Sequence, residues 1–220
     1  SGLLHLAYSL ALQRGYQLAD LSVVYPVARG TGPMLSAIGA FLVLGEQPSF
    51  LRIAGLAAVV AGIALTATDG RIVAFRRPAA RDGVRWGGGT GALIAGYTVV
   101  DAWGVKALAI PPVVLDWCAN TLRFFLLAPA VMRNRSASLA AMRGRWLLAV
   151  GVGLLSPLGY ILVLAALSLG APLSIVAPAR EMSMMLGALL GMLILREPVG
   201  APRLAGCAVL LCGVLLLGGS

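Results

Sequence analysis

Two arginines lie within long apolar stretches of this sequence, where a charged side chain is costly. Arg29 and Arg180 each stand about eight residues into such a stretch, which is roughly 12 Å along a helix that rises 1.5 Å per residue. At that depth in a bilayer a cation must be paired or face water. A guanidinium binds a carboxylate or phosphate through two parallel hydrogen bonds. The pair therefore predicts an anion-binding site, with snorkelling of both side chains to the nearer interface as the alternative.

Two acidic residues in apolar stretches are the predicted coupling residues, because each could carry a proton. Glu181 follows Arg180 directly, and neighbouring helical residues point about 100° apart. We therefore expect Glu181 to bind a proton or to pair with another helix, for instance through Arg123. Asp101 is the most isolated acid, with Tyr97 one turn before it on the same face. The alternatives are a structural salt bridge for Glu181 and a helix-end position for Asp101.

Aromatic side chains in the same stretches are expected to line the substrate cavity together with the arginines. The predicted lining residues are Tyr25, Tyr97, Trp103 and Trp117. A separate polar stripe of Asp116, Asn120 and Arg123 shares one helical face through its i, i+4, i+7 spacing. Such a stripe should face protein or a cavity and not lipid. It either contributes to a site or only locks helices together.

Residue patterns typical of an enzyme do not occur in this sequence. His5 is the only histidine, and no metal-binding spacing, nucleotide-binding loop or nucleophile–histidine arrangement is present. Three cysteines lie in apolar stretches and are expected to pack as small apolar residues: Cys118, Cys207 and Cys212. We therefore expect a protein that is not an enzyme, with no catalytic residue, metal site or cofactor. A membrane-embedded lipid-modifying transferase is the enzymatic alternative.

The composition indicates that these residues belong to membrane helices. Of the 220 residues, 60% are hydrophobic and 11% are charged, which is more apolar than a soluble domain. A membrane span needs roughly 20 apolar residues, and it must be helical because the bilayer offers no water to the backbone. The predicted spans are 3–19, 21–45, 50–68, 88–109, 111–132, 146–170, 172–195 and 203–218. The predicted fold class is all-α, a polytopic transmembrane helical bundle.

The net charge of +9 is concentrated in connections between spans and forms no basic face for nucleic acid. Most of the arginines fall in two connections: Arg71, Arg76, Arg77, Arg81 and Arg85 in one, and Arg133, Arg135, Arg143 and Arg145 in the other. Alternating spans put both connections on one side, which the positive-inside rule assigns to the cytoplasm. We expect a multi-pass protein of the bacterial inner membrane with both chain ends outside. Membrane lipids are expected partners, nucleic acid is not, and a homodimer is left open.

The sequence also repeats itself at an offset of 151 residues. Residues 28–65 align with 179–216 with fourteen identities in 38 positions, among them Arg29/Arg180, Glu46/Glu197, Arg52/Arg203, Gly55/Gly206 and Gly62/Gly213. Three spans in 1–68 match the last three of five spans in 88–220, with an Arg-rich linker over 69–87. Repeats with odd numbers of spans cross the membrane in opposite directions, the inverted-repeat architecture of secondary transporters. The Glu and Arg pairs that recur at span ends are expected to clamp the adjoining turns.

The ordered motifs of both halves resemble the EamA-type drug/metabolite transporter superfamily. Each half has a proline-broken helix, a terminal Glu and a Gly-bearing helix: Tyr25-Pro26-Val27-Ala28-Arg29-Gly30, Leu44-Gly45-Glu46 and Arg52-Ile53-Ala54-Gly55, then Ala177-Pro178-Ala179-Arg180-Glu181, Leu195-Arg196-Glu197 and Arg203-Leu204-Ala205-Gly206. The resemblance implies ten spans, of which eight are present and the first two are absent. It implies a secondary active transporter that exports a small metabolite by alternating access. The paired arginines indicate a polar or anionic metabolite, and protons are the candidate coupling ion. A lipid-linked-sugar flippase of similar fold and a non-functional transporter fragment are the alternatives.

Overall fold

The computed structural model describes residues 1–68, 80–194 and 200–219, and the regular structure in these ranges is helical. The helices are α1 (Gly2–Leu18), α2 (Leu21–Val43), α3 (Phe50–Thr68), α4 (Ala80–Lys106), α5 (Pro112–Arg133), α6 (Arg135–Met142), α7 (Trp146–Ser168), α8 (Leu173–Ala179), α9 (Met182–Ile194) and α10 (Ala201–Gly218). A helix occurs at each of the eight predicted spans, and α8 and α9 together occupy one of them. The predicted residues Arg71, Arg76, Arg77, Arg196 and Glu197 lie outside the described ranges.

Five helical segments of the described chain are long and apolar enough to cross a membrane: Phe50–Thr68, Pro112–Arg133, Trp146–Ser168, Leu173–Ile194 and Ala201–Gly218. Their outer faces are apolar and exposed, most clearly on α7, whose buried residues are Leu164 and Leu167. Exposed apolar surface of this length favours hydrocarbon over water. The chain is therefore a membrane protein.

Helix α4 begins at Ala80, eight residues before the predicted start of its span at 88. The last part of the predicted 69–87 linker is therefore helical. Glycines occupy every fourth position of this part of the helix: Gly83, Gly87 and Gly91. A Cβ on Gly83 would lie 2.8 Å from a methyl carbon of Val23, so only glycine lets α4 lie directly on α2. The two helices run parallel, and the glycines that suggest a linker are packing positions.

Helices α3 and α10 pack through the glycines that recur in the sequence repeat. A Cβ on Gly62 would lie 2.6 Å from the backbone nitrogen of Leu210, and one on Gly213 would lie 2.7 Å from that of Val59. The offset of 151 converts the first pair into the second, so the two helices contribute equivalent positions to an antiparallel contact. The same exchange relates Gly55 against Leu217 to Gly206 against Thr66.

The two proline-bearing helices of the repeat differ in continuity. Helix α2 runs unbroken through Pro26 and Pro33, whereas its counterpart is divided into α8 and α9 after Pro178. The expectation of a broken helix in both halves is therefore correct only for the second. Proline has no N–H for the preceding turn, and the N–H of Glu181 instead bonds the Pro178 carbonyl at 3.0 Å. This turn lies between the end of α8 at Ala179 and the start of α9 at Met182.

Glu46, which follows α2, ties three helices together at one end of the bundle. Its carboxylate accepts hydrogen bonds from the N–H of Leu173 at 2.6 Å, and from the N–H and hydroxyl of Ser174 at 3.0 and 2.6 Å. The Lys106 ammonium at the end of α4 lies 3.4 Å away. Burial acts to raise the pKa of Glu46, but the hydrogen bonds to Ser174 and Leu173 and the charge of Lys106 hold it below its ordinary value.

The predicted clamp on the α2–α3 turn has different partners from those expected. Glu46 reaches across to α8, while Arg52 donates from Nη1 to the Gln47 carbonyl at 3.0 Å. Gly45 has φ +69°, a left-handed conformation that allows α2 to end in a tight turn. Glu46 is thus a link between helices, and Arg52 alone closes its own turn.

Candidate functional site

The predicted arginines converge on one buried carboxylate. Arg29 Nη1 lies 3.2 Å from Oε2 and 3.3 Å from Oε1 of Glu181. Arg180 Nε lies 3.5 Å from the same Oε1. The Glu181 side chain is 1% exposed, whereas those of Arg29 and Arg180 are 33% and 18% exposed. One negative charge is therefore shared by two positive charges, and the cluster retains a net charge of about +1.

The helix break explains how adjacent residues can meet. The prediction that Arg180 and Glu181 diverge by 100° assumes a continuous helix, and it is wrong because α8 ends at Ala179 and α9 begins at Met182. The predicted salt bridge from Glu181 to another helix is present, but its partner is Arg29 of α2 and not Arg123. Arg29 and Arg180 occupy equivalent repeat positions, so their convergence brings the two halves of the chain together.

Arg29 also lines a wide cleft of about 890 Å³. The cleft lies where α1 and α3 end and where α2 and α10 begin, with Tyr16, Thr66 and Arg203 in its walls. Arg29 Cζ lies 5.6 Å from the ring centroid of Tyr25, a distance typical of a cation–π contact. Tyr25 and Arg29 therefore share this cleft as predicted, and Arg203, expected to be only structural, adds a second guanidinium to it.

Tyr97 lines a different, smaller pocket of about 310 Å³ formed by α1, α4, α5 and α7. Its ring stacks on His5 with centroids 3.9 Å apart, and Tyr8 and Tyr160 lie at 5.7 and 6.0 Å. The Tyr97 ring is therefore contacted by aromatic rings from α1 and α7.

Asp101 lies next to the aromatic pocket and is completely buried. Its Oδ2 accepts a hydrogen bond of 2.6 Å from the Tyr160 hydroxyl, and its Oδ1 has no hydrogen-bond partner in the described chain. Helix α4 ends at Lys106, five residues after Asp101, so the residue lies in the last part of its helix, as the alternative expects, but it is buried there. Unlike Glu181, Asp101 forms no ion pair within the described ranges, and its hydrogen-bond partner is the Tyr160 hydroxyl.

The polar stripe on α5 forms a hydrogen-bonded ladder along its own helix. Asn120 Nδ2 donates to Asp116 Oδ2 at 2.9 Å, and Arg123 Nη1 donates to Asn120 Oδ1 at 3.2 Å. All three residues line the aromatic pocket. The stripe faces a cavity, as its spacing predicts, and in the described part of the chain its hydrogen bonds stay within α5.

The four aromatic residues predicted to line one cavity are distributed over several. Tyr25 lines the cleft of Arg29 and Tyr97 lines the smaller pocket. Trp103 and Trp117 are 46% and 68% exposed and line neither of these two cavities. Sequence reasoning also missed Tyr8 and Tyr160, which no motif marks, and His5, whose one signal is its position in an apolar helix.

Comparisons with known proteins establish a shared fold and no more. No protein-family model and no curated protein matches the sequence. One similar solved structure, described only as "Crystal structure of protein", aligns with a TM-score of 0.69 and 17% identity, covering 99% of this chain and 74% of that chain. At this identity the similarity concerns the arrangement of helices and not the chemistry of a site.

Proposed function

We propose that the chain is a secondary transporter that exports a small polar or anionic metabolite by alternating access. The observation that carries the proposal is the buried Glu181 carboxylate between Arg29 and Arg180, beside an open cleft. The motifs that resemble EamA-type transporters support the same class of mechanism. Intramembrane ionisable residues commonly mark transport pathways.

The two arginines can bind either the Glu181 carboxylate or a substrate anion. Two guanidiniums hold Glu181, and Arg29 remains one-third exposed toward the cleft. A substrate anion that enters the cleft would compete with Glu181 for the same donors, and protonation of Glu181 would release them. Binding of substrate and binding of a proton are coupled in this scheme because both act on the same two arginines.

The repeat accounts for a cluster of one carboxylate and two guanidiniums. Residue 30, the counterpart of Glu181, is glycine. Arg29 and Arg180 are equivalent positions that approach a common point, and a second carboxylate at residue 30 would bring two like charges toward it. The asymmetry supports a site between the repeats, where secondary transporters bind their substrates.

The packing of α3 on α10 supports an inverted repeat. Antiparallel helices whose contacts are exchanged by the sequence offset have the geometry of an internal two-fold axis. We propose that all eight predicted spans cross the bilayer. The positive-inside rule then places the open cleft on the cytoplasmic side, and the Glu46 cluster closes the opposite end, so the structure corresponds to an inward-open state.

Asp101 is the second proposed proton carrier. It is buried with one unpartnered oxygen and a hydrogen bond to Tyr160. Glu181 acts directly on the arginines, whereas Asp101 would act through Tyr160, which lines the aromatic pocket.

A binding measurement tests the proposed site. A ligand that binds only the folded protein raises its melting temperature, so a panel of organic acids and phosphorylated anions can be screened with the purified chain in detergent. We expect Arg29→Gln and Arg180→Gln each to weaken the selected anion about tenfold or more. The matched control is Arg14→Gln, whose guanidinium is exposed and bonded to Gln17. Selection of cationic ligands, or unchanged binding in both variants, would overturn the site.

A further inference from the structure

Two adjoining cavities lie between parts of α5 and α7. The aromatic pocket of about 310 Å³ continues into a cleft of about 480 Å³, and both are lined by the same polar stripe of Asp116, Asn120 and Arg123. The outer rim of the cleft is apolar, with Trp117 68% exposed and Val152 67% exposed. A polar floor therefore lies behind a rim that faces hydrocarbon.

The polar groups of this floor are incompletely bonded. Within the described residues, Arg123 Nε is buried and has no hydrogen-bond partner. Pro157 offers no N–H to the carbonyl of Gly153, one turn earlier in α7, and Gly153 lines the cleft. Asp116 is 7% exposed and accepts a hydrogen bond from Asn120 through Oδ2. Donors and acceptors left unpaired beside hydrocarbon are unfavourable.

The order of the charges along α5 matches that of a lipid. Asp116 is the fifth residue of α5, about 6 Å from its start, and Arg123 lies about 10 Å deeper. Arg123 reaches back toward Asn120. A zwitterionic phospholipid places its ammonium outermost, its phosphate next and its acyl chain deepest. The Asp116 carboxylate and the Arg123 guanidinium therefore follow one another along α5 in the same order as the ammonium and the phosphate.

We propose that this α5–α7 cleft binds the headgroup of a zwitterionic phospholipid-like amphiphile, whose tail leaves between the two helices into the bilayer. Asp116 and the Gly153 carbonyl accept from the ammonium, and Arg123 donates to the phosphate. The rim of Trp117 and Val152 contacts the first carbons of the tail. The site is separate from the Arg29–Glu181–Arg180 cluster and does not depend on transport.

Equilibrium binding to the purified chain in detergent tests the site. The probes are radiolabelled lysophosphatidylethanolamine, lysophosphatidylglycerol, which lacks the ammonium, and glycerophosphoethanolamine, which lacks the tail. We expect the tailed zwitterion to bind most tightly. Arg123→Gln should weaken both tailed probes about tenfold, the change expected for one charge-assisted hydrogen bond. Asp116→Asn should remove the preference for the zwitterion and leave the anionic probe unchanged.

A variant that fills the cleft tests the site without changing a charged residue or disturbing the fold. A Cβ on Gly153 meets no atom within 4 Å, so Gly153→Leu should fill the cleft without moving the backbone and abolish binding. Gly151→Leu is the matched control, because Gly151 has the same open surroundings and does not line the cleft. The proposal is overturned if Gly153→Leu binds normally, if the tail-free probe binds as tightly as the tailed one, or if the wild type binds both tailed probes equally.

Discussion

Glu181 is a single carboxylate shared by two arginines that occupy the same position of the repeat. The arrangement has a direct energetic consequence, since a buried charge is stable only while its partners remain. The arginines depend on Glu181 in the same way, although Arg29 retains some access to the cleft. Removing the acid therefore leaves two like charges facing each other.

We predict that Glu181→Gln lowers the free energy of unfolding by about 3 kcal/mol, the lower end for breaking a buried pair, because Arg29 is one-third exposed. Thermal unfolding in detergent measures the loss. Added small anions should restore more stability to the variant than to the wild type, since they replace the missing carboxylate. Asp82→Asn, an exposed acid of α4, is the control. Equal melting temperatures for the Glu181 variant and the wild type would show that the cluster contributes nothing.

At this scale the sequence identifies the charged residues but not their contacts. Arg29, Arg180 and Glu181 stand out because ionised side chains are rare in apolar stretches. Their convergence depends on the break after Pro178, and α2 shows that a proline inside a helix need not break it. The hydrogen bond between Asp101 and Tyr160 could not be predicted from the sequence either, because it depends on how α4 and α7 are rotated about their axes.

Helix α3 and helix α10 pack closely through four glycines. A Cβ on each of them would lie within 3.0 Å of a backbone atom of the facing helix, so an added methyl group cannot be accommodated by a rotamer change alone. The recurrence of these glycines predicts helix packing. The pairing of α3 with α10 could not be predicted, since many apolar faces of the chain are compatible with glycine contacts.

Gly62→Ala and Gly213→Ala should destabilise the protein by similar amounts, about 1–3 kcal/mol each. Each introduced Cβ would approach a backbone nitrogen of the facing helix to 2.6 or 2.7 Å. Gly96→Ala is the control, because its Cβ would meet Leu4 at an ordinary 3.9 Å and alanine favours helix. Melting temperatures in detergent provide the comparison. Strongly unequal effects of the two paired variants would contradict the exchange of contacts between repeats.

The Glu46 link predicts a defined pH dependence. Its folded pKa lies below the ordinary value of 4.5, so its contribution to stability is present at neutral pH and is lost as the pH falls through the lowered pKa. Glu46→Gln should melt at a lower temperature than the wild type at pH 7. The difference should shrink as the pH falls from 4.5 through the lowered folded pKa, where the wild-type carboxylate becomes protonated. A difference that stays constant across this range would exclude the ionised link.

The described helices leave a cleft at one end of the bundle and are joined through Glu46 at the other end. The cleft beside Arg29 lies where α2 begins, and Glu46 joins α2, α4 and α8 at the other end of α2. In alternating access the Glu46 link would have to break as the cleft closes, because the two ends cannot be open together. The repeat predicts such an exchange in principle, but which end is open could not be predicted from a sequence that both states share.

Counterflow in proteoliposomes tests the central proposal most directly. The full chain is reconstituted, the vesicles are loaded with the anion selected by binding, and uptake of the labelled anion is measured. We predict counterflow by the wild type and by the control Arg14→Gln, with at least a tenfold loss in Arg29→Gln and Arg180→Gln. Wild-type rates in both cluster variants would contradict transport through the arginine pair.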